Sequence, residues 1–140
     1  MQTFLPYPNF VASLSCLDYR RLGKQRVEAM QILQILEDPQ SQSRWRTRPA
    51  VKMWRGHEAA LRVYHDTAIR LWVERGYRNT MKYRATMSDW HRHRLPCWLN
   101  EDFCAAHRSN LLRKDPEYYG QFGWTEPPDL PYLWPIKGGK

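Results

Sequence analysis

Residues 16–36 read CLDYRRLGKQRVEAMQILQIL, a stretch that places a cluster of cations ahead of an amphipathic helix pattern. From Val27 onward apolar residues recur at intervals of three and four, which predicts a helix with one buried face. That face carries Ala29, Ile32, Leu33 and Leu36. Asp38 and Pro39 predict the end of the helix. Four cations precede the apolar face within seven positions: Arg20, Arg21, Lys24 and Arg26.

The four cations raise a stability question at the entrance to this helix. A cation at a helix N-terminus opposes the macrodipole by about 0.3–1 kcal/mol, unless an anion sits there. A phosphate could bridge the cations and the free backbone N–H groups, and Gly23 would let a ligand approach closely or the chain turn sharply. The alternative is a helix that begins earlier, near Asp18, with a solvated basic face. The charge excess of the chain favours phosphate binding.

A second helix is predicted over residues 53–74, before a glycine C-cap at Gly76. Its apolar positions step by three and four: Met53, His57, Ala60, Leu61, Tyr64, Ala68, Leu71 and Trp72. The pairs Glu58/Arg62 and Asp66/Arg70 are each spaced four apart, which predicts salt bridges on an exposed surface. His57 lies on the apolar stripe and is either a satisfied core histidine or a residue close to a ligand.

A third helix is predicted to begin after Asn100 and to stop at Asp115–Pro116. Segment 78–96 predicts a loop or short turns, and residues 1–10 predict an extended chain because of two prolines. The aromatic tail after residue 116 is expected to pack on the core rather than extend into solvent. The sequence therefore predicts an all-α fold, a single compact domain over residues 1–140 with about three main helices, long loops and an aromatic C-terminal tail.

The charge balance points to a polyanionic partner. The 140 residues carry a formal net charge of +8, and the sequence pI is about 9.7. Two further basic runs alternate with aromatic residues, which can stack on bases or simply belong to the core. This charge is compatible with nucleic acid, an anionic membrane surface or no specific partner. No apolar run is long enough to span a bilayer, so we expect no membrane association. The DNA-binding candidates outside the first cluster are Arg46, Arg48, His57, Lys82 and Arg84.

The cysteines and histidines predict no disulfide framework and no metal site. Three cysteines form an odd, low count, and the first ten residues lack the pattern of a signal peptide. His91, His93, Cys97, Cys104 and His107 match no standard zinc spacing. We expect a soluble, reduced, cytoplasmic protein that associates with the nucleoid when bound to DNA, with no cofactor. No protein partner can be inferred.

Three stretches resemble the endonuclease V family of pyrimidine-dimer DNA glycosylases. RGHEAALRVYHDTAIRLWVERGYRN (55–79) is similar to the family's middle helix, and YRRLGKQRV (19–27) resembles its basic catalytic segment. HRSNLLRKDPEYYGQFGW (107–124) resembles its last helix and aromatic tail. The resemblance implies a compact helical domain that binds duplex DNA, kinks it and exposes a lesion. By position it implies a phosphate contact for Arg20 and, second, for Arg26.

The resemblance also implies a mechanism. In this family the N-terminal α-amine attacks the sugar C1′ and displaces the base through a Schiff base, assisted by a glutamate. Here Gln2 replaces the small residue that the family exposes on removal of Met, so the nucleophile would be the Met1 amine. If Met1 were removed, Gln2 could cyclise. Arg21 stands where the family has its glutamate. The nearest carboxylates are Asp18 and Glu28, and neither matches the family position. Glu28, one helical turn past Lys24, could face the same site or form an ordinary surface salt bridge.

The predicted function is therefore base excision. We expect a DNA glycosylase, with or without abasic-site lyase activity, that acts on a damaged or modified pyrimidine in duplex DNA. One alternative is a non-catalytic duplex-binding protein on the same scaffold, which Gln2 and the missing glutamate favour. Another is an enzyme that acts on a modified base or nucleotide, with Glu28 and His57 in its pocket.

Overall fold

The computed structural model describes residues 1–135. Helices are the only regular secondary structure in this range, with no strand, as the all-α prediction requires. They pack around one hydrophobic core. Residues 136–140 lie outside the described part, so a domain that spans residues 1–140 stays a prediction. Seven α-helices occur in the described part: α1 (Phe10–Ser15), α2 (Tyr19–Leu36), α3 (Pro49–Trp54), α4 (Glu58–Glu74), α5 (Met87–Arg92), α6 (Glu101–Lys114) and α7 (Pro116–Tyr119). Two 3-10 turns span Arg44–Thr47 and Gly120–Phe122.

The predicted three main helices are α2, α4 and α6. Helices α2 and α4 form the central pair and run antiparallel, because Tyr19 near the start of α2 stacks on Tyr77 just past the end of α4. Gly23 lies inside α2, where a Cβ would come within 3.0 Å of the Trp72 ring. The glycine therefore permits close packing of α2 on α4. The two expectations for Gly23, a sharp turn and the close approach of a ligand, are wrong, because the residue is helical and the Trp72 ring fills the space beside it.

The first predicted helix begins eight residues earlier than the apolar pattern indicated. Asp18 is its N-cap, and the carboxylate accepts a hydrogen bond from the backbone N–H of Arg21. An N-cap carboxylate stabilises a helix start, which partly offsets the cost of the cations in the first turn. The alternative of a start near Asp18 is thus confirmed, and Lys24 and Arg26 lie in its second turn.

The second predicted helix is divided by Gly56. The glycine has φ +86°, a left-handed conformation that ends α3 and allows the chain to restart at α4 after His57. The predicted surface pairs do not form. Asp66 is buried and accepts hydrogen bonds from the backbone N–H groups of Arg84 and Ala85, while Arg62 pairs with Asp89 of α5 at 2.8 Å.

The third predicted helix and the tail agree with the sequence. Asn100 caps α6 through a hydrogen bond from Phe103 N–H. The face of α6 that carries Phe103, His107, Asn110 and Leu111 is buried. A second face of α6 is also buried, because polar residues there hold the tail. Arg108 pairs with Glu126 at 2.8 Å, and Ser109 Oγ accepts a hydrogen bond from Leu130 N–H at 2.9 Å. Segment 78–96 contains α5, a helix that the weak pattern did not predict.

Residues 1–9 contain no helix or strand, as predicted, but bends at 6–9 lead into α1, so the predicted extended segment is wrong at Phe10. Residues 3–5 are buried without a strand partner. Side chains satisfy their backbone groups instead, as a buried chain requires. Gln25 Oε1 accepts a hydrogen bond from Phe4 N–H at 2.9 Å, and Gln25 Nε2 donates to the Gln2 carbonyl at 3.0 Å. His107 Nδ1 accepts from Leu5 N–H at 2.9 Å. The first residues are thereby fixed against α2 and α6.

Other features bear on the predicted classes. Within residues 1–135 no helix is long and apolar enough to cross a membrane. The three cysteines are free thiols, of which Cys16 and Cys104 are buried. No three His, Cys, Asp or Glu side chains in this part of the chain come together as a group that could hold a metal ion.

Replacing Gln25 with alanine should destabilise the fold. The change leaves Phe4 N–H and the Gln2 carbonyl without partners, and it removes the oxygen that lies 2.5 Å from the Tyr64 hydroxyl. We expect a loss of about 2–4 kcal/mol in the free energy of unfolding, measured in urea. Gln34→Ala, on the exposed face of the same helix, is the control and should change it by less than about 0.5 kcal/mol. Equal losses in both variants would contradict this role.

His107 should make the fold sensitive to acid. Burial lowers the pKa of His107 to about 3, whereas an unfolded histidine titrates near about 6.5. Between these values the unfolded chain takes up a proton and the folded chain does not, so stability falls as the pH falls. His107 alone should cost about 2 kcal/mol between pH 6.5 and 5. His107→Asn, which keeps an acceptor for Leu5 N–H, should remove that slope, and exposed His91→Asn should leave it intact.

Candidate DNA-binding and catalytic cleft

The beginning of the chain opens onto a cleft of about 390 Å³. We call it the Glu28 cleft. Its walls come from the first residues, one face of α2, the end of α6 and the tail. The lining residues are Met1, Gln2, Phe4, Arg21, Lys24, Gln25, Glu28, Lys114, Tyr132 and Trp134. The cleft therefore brings the chain start, one carboxylate and three cationic side chains together.

A second cleft, of about 850 Å³, adjoins the first. We call it the Tyr19 cleft. It shares Arg21, Lys24 and Lys114 with the Glu28 cleft, so the three cations form the boundary between the two. Its other lining residues are Asp18, Tyr19, Arg20, Asp115 and Tyr118. Two tyrosine rings and four cations in one open depression suit an aromatic, polyanionic ligand.

Glu28 is half-buried and held by its neighbours. Its carboxylate accepts a hydrogen bond from Gln25 Nε2 at 3.0 Å. Burial raises the pKa of Glu28 above its usual value, and the Met1 amine, the Gln2 N–H, Lys24 and Gln25 oppose that rise. A carboxyl group with a raised pKa is better able to take up and release a proton near neutral pH.

The Met1 amine reaches the cleft because the residues after it are anchored. Thr3 is buried, and its hydroxyl oxygen accepts a hydrogen bond from Trp54 Nε1 at 3.0 Å. The Gln2 side chain is also fixed, because its Oε1 accepts a hydrogen bond from Thr3 N–H at 2.9 Å. The amine is close enough to Glu28 to lower the pKa of that carboxyl.

The predicted cations of α2 are held in different ways. Arg21 forms a salt bridge with Asp18 at 3.0 Å, and its guanidinium lies 5.9 Å from the centre of the Tyr119 ring. Arg20 is exposed, and its Nε donates to the Tyr19 hydroxyl at 3.1 Å. Lys24 is also exposed. Two of the three cations thus keep their charge available to a ligand from solvent.

Arg26 belongs to a different surface. Its guanidinium lies 4.3 Å from the centre of the Trp72 ring, and its terminal nitrogen donates to Asn79 Oδ1 at 3.1 Å. The Trp72 ring in turn stacks on Tyr77 at 4.3 Å, and Tyr77 stacks on Tyr19 at 6.0 Å. Arg26 lines neither the Glu28 cleft nor the Tyr19 cleft. It instead supports the stack that leads to Tyr19.

The remaining DNA-binding candidates also lie outside these two clefts. Arg46 lies in the exposed 3-10 turn before α3 and Arg48 directly follows that turn. The Arg48 guanidinium lies 5.5 Å from the centre of the Trp45 ring. Lys82 is exposed, and Arg84 approaches Glu37 at 3.9 Å. His57 lines a third cleft at the start of α4. Arg92 and Arg94 share that third cleft with His57.

Sequence reasoning missed five residues of the Glu28 cleft: Phe4, Gln25, Lys114, Tyr132 and Trp134. Gln25 lies between Lys24 and Arg26 in the sequence, and no sequence pattern indicates that a glutamine is buried. Lys114 falls within the stretch that resembles the family's last helix. Tyr132 and Trp134 were expected to pack on the core, which they do while also forming a wall of the cleft.

Comparison with known proteins gives one finding. No curated protein and no solved structure matches the chain. A family model described as pyrimidine dimer DNA glycosylase matches residues 1–85 of the 140. The matched part includes Met1, Glu28 and the cations of α2. Residues 107–124 lie outside the matched part, so their resemblance to the family's last helix and tail stays a prediction. The chain therefore belongs to the pyrimidine dimer DNA glycosylase family.

Proposed function

We propose that this protein is a base-excision DNA glycosylase that acts on a damaged or modified pyrimidine in duplex DNA. One observation carries the proposal: Met1 and Glu28 line the same cleft, with the amine close enough to lower the pKa of the carboxyl, and cations that can hold the phosphates of a strand line it too. Membership of the family supports DNA as the substrate. The same proposal puts the protein in the cytoplasm, at the nucleoid when DNA is bound.

The Met1 amine is the proposed nucleophile. A neutral primary amine can act as a nucleophile and form an imine with a sugar carbon. The amine nitrogen attacks C1′ of the damaged nucleotide, and the glycosidic bond breaks with its electron pair leaving on the base. Loss of a proton from nitrogen and opening of the sugar ring give an imine. Hydrolysis of that imine returns the amine, whereas elimination of the 3′ phosphate before hydrolysis cuts the strand.

Glu28 is the proposed proton carrier. The carboxylate lies beside the amine and can accept the proton that the nitrogen loses, and its raised pKa suits that exchange. Glu28 lies one helical turn past Lys24, whereas the family glutamate directly follows the Tyr-Arg pair. The extended first residues compensate, since their anchoring to Gln25 brings the amine to the level of Glu28 on α2.

Arg20, Arg21 and Lys24 are the proposed phosphate ligands of the damaged strand. They share one side of α2 and line the Tyr19 cleft, next to the amine. Phosphate contacts fix the position of a protein on DNA without reading its sequence. The DNA-binding roles of Arg26, Arg46, Arg48, His57, Lys82 and Arg84 stay predictions, for contacts with parts of the duplex further from the amine.

The second candidate is duplex binding without chemistry. Gln2 favours it, because the first amine is then carried by a bulky methionine rather than by a small residue. This reading keeps the phosphate contacts and predicts salt-sensitive binding that survives acetylation of the amine. The first experiment below separates the two candidates.

Glu28→Gln should abolish base release without loss of fold. The variant keeps the shape of the side chain and removes its charge, so we expect release of a damaged pyrimidine from a duplex to slow by at least about a hundredfold. Borohydride trapping of the enzyme–DNA imine on dimer-containing and abasic duplexes reports the same step. Glu74→Gln, an exposed change at the end of α4, is the matched control and should leave both readouts unchanged. Duplex binding by the wild type with neither base release nor trapping would support the second candidate.

Arg20→Ala combined with Lys24→Ala should weaken duplex binding and its dependence on salt. Each lost phosphate contact lowers the slope of log affinity against log salt concentration by about 0.9. Fluorescence anisotropy at several salt concentrations measures the slope, and we expect a decrease of about 1.8 for the pair. Lys52→Ala on α3 removes an exposed cation outside both clefts and should cost less. An unchanged slope in the double variant would remove these two residues from the interface.

A further inference from the structure

Lys114 is the last residue of α6 and lines both the Glu28 cleft and the Tyr19 cleft. It places a primary amine opposite the face of α2 that carries Lys24 and Glu28. Three primary amines therefore surround the same space: the Met1 amine, Lys24 and Lys114. Base release as proposed above uses only one of them.

We propose that Lys114 is a second imine-forming amine, which captures the open-chain aldehyde of an abasic deoxyribose bound between the two clefts. The inference rests on the proposed function, because it needs a DNA strand in this place. It goes beyond that function by assigning an abasic-site lyase activity that does not need the Met1 amine. The substrate class is duplex DNA that has already lost a base.

The surroundings of Lys114 favour the neutral, nucleophilic form of its amine. Partial burial together with the positive charges of Arg21 and Arg113 lowers its pKa. A lysine beside other cations is a recognised arrangement for imine chemistry. Lys24, by contrast, lies close enough to Glu28 to lower the pKa of that carboxyl. Lys114 therefore lies near two cations, whereas Lys24 lies near a carboxylate.

The reaction at Lys114 needs no other reagent. The neutral Nζ adds to the C1′ aldehyde, and the carbinolamine loses water to give a protonated imine. Glu28, in the same cleft, takes a proton from C2′. The electron pair of that C–H bond forms a double bond while the C3′–O bond breaks, and the 3′ phosphate leaves as an anion. Water then hydrolyses the imine and frees Lys114 together with the unsaturated aldehyde.

The test uses the full chain with its α-amine acetylated, incubated with an abasic duplex and sodium borohydride. We expect a trapped adduct whose DNA-bearing peptide contains Lys114 by mass spectrometry. Lys114→Arg keeps the positive charge and removes the primary amine, so it should lower trapping by about tenfold or more. Its affinity for the abasic duplex should stay within about twofold, because arginine keeps the positive charge at this position. Lys52→Arg, an exposed change on α3, is the control and should trap as the parent does.

The outcomes separate this inference from the proposed function. Trapping that disappears on acetylation, or an adduct mapped to Lys24 in the acetylated chain, would overturn the role of Lys114 and leave the Met1 chemistry standing. Undiminished trapping by the acetylated Lys114→Arg variant would also overturn it. An adduct in neither the acetylated nor the unmodified chain would remove both proposals. An adduct at Met1 in the unmodified chain and at Lys114 in the acetylated chain would support both.

Discussion

The structure depends on the way a single glutamine holds the first residues of the chain inside a helical core. An extended segment has unpaired backbone groups on both sides, and burying them without partners costs about 1–3 kcal/mol for each group. A sheet would supply those partners, but the described residues contain none. Gln25 supplies two of these partners, because its amide oxygen accepts from Phe4 N–H and its amide nitrogen donates to the Gln2 carbonyl. The neutral ring of His107 supplies a third, to Leu5 N–H.

The same face of α2 connects stability with the proposed chemistry. Arg21, Lys24, Gln25 and Glu28 follow one another at intervals of three, one and three along it, so they share a side of the helix. Gln25 points inward and fixes the chain start, while its neighbours point into the clefts and handle charge. A rearrangement of α2 would therefore displace the anchor, the carboxylate and the phosphate ligands together.

The sequence allowed the fold class, the three long helices and the position of the tail to be predicted, because each depends on local patterns. The start of α2 was left open between Val27 and Asp18, because Arg20, Arg21 and Lys24 interrupt the apolar period although Asp18 is a good cap. The division between α3 and α4 depends on the left-handed conformation of Gly56, and a glycine in a helical pattern does not reveal its own φ. The burial of Asp66 depends on backbone N–H groups 18 and 19 residues away. Only tertiary packing could show that Lys114 and Tyr132 face Glu28.

The walls of the Glu28 cleft come from segments that are far apart in the sequence. Leu5 and His107, whose contact anchors the floor, are 102 residues apart, and the aromatic wall comes later still. Contacts between such distant segments form late, since closing a long loop costs entropy before the contact is gained. The cleft can therefore assemble only after α6 and the tail have docked. During synthesis the Met1 amine, the proposed nucleophile, emerges first. The cleft around it can form only after translation has supplied nearly all of the chain.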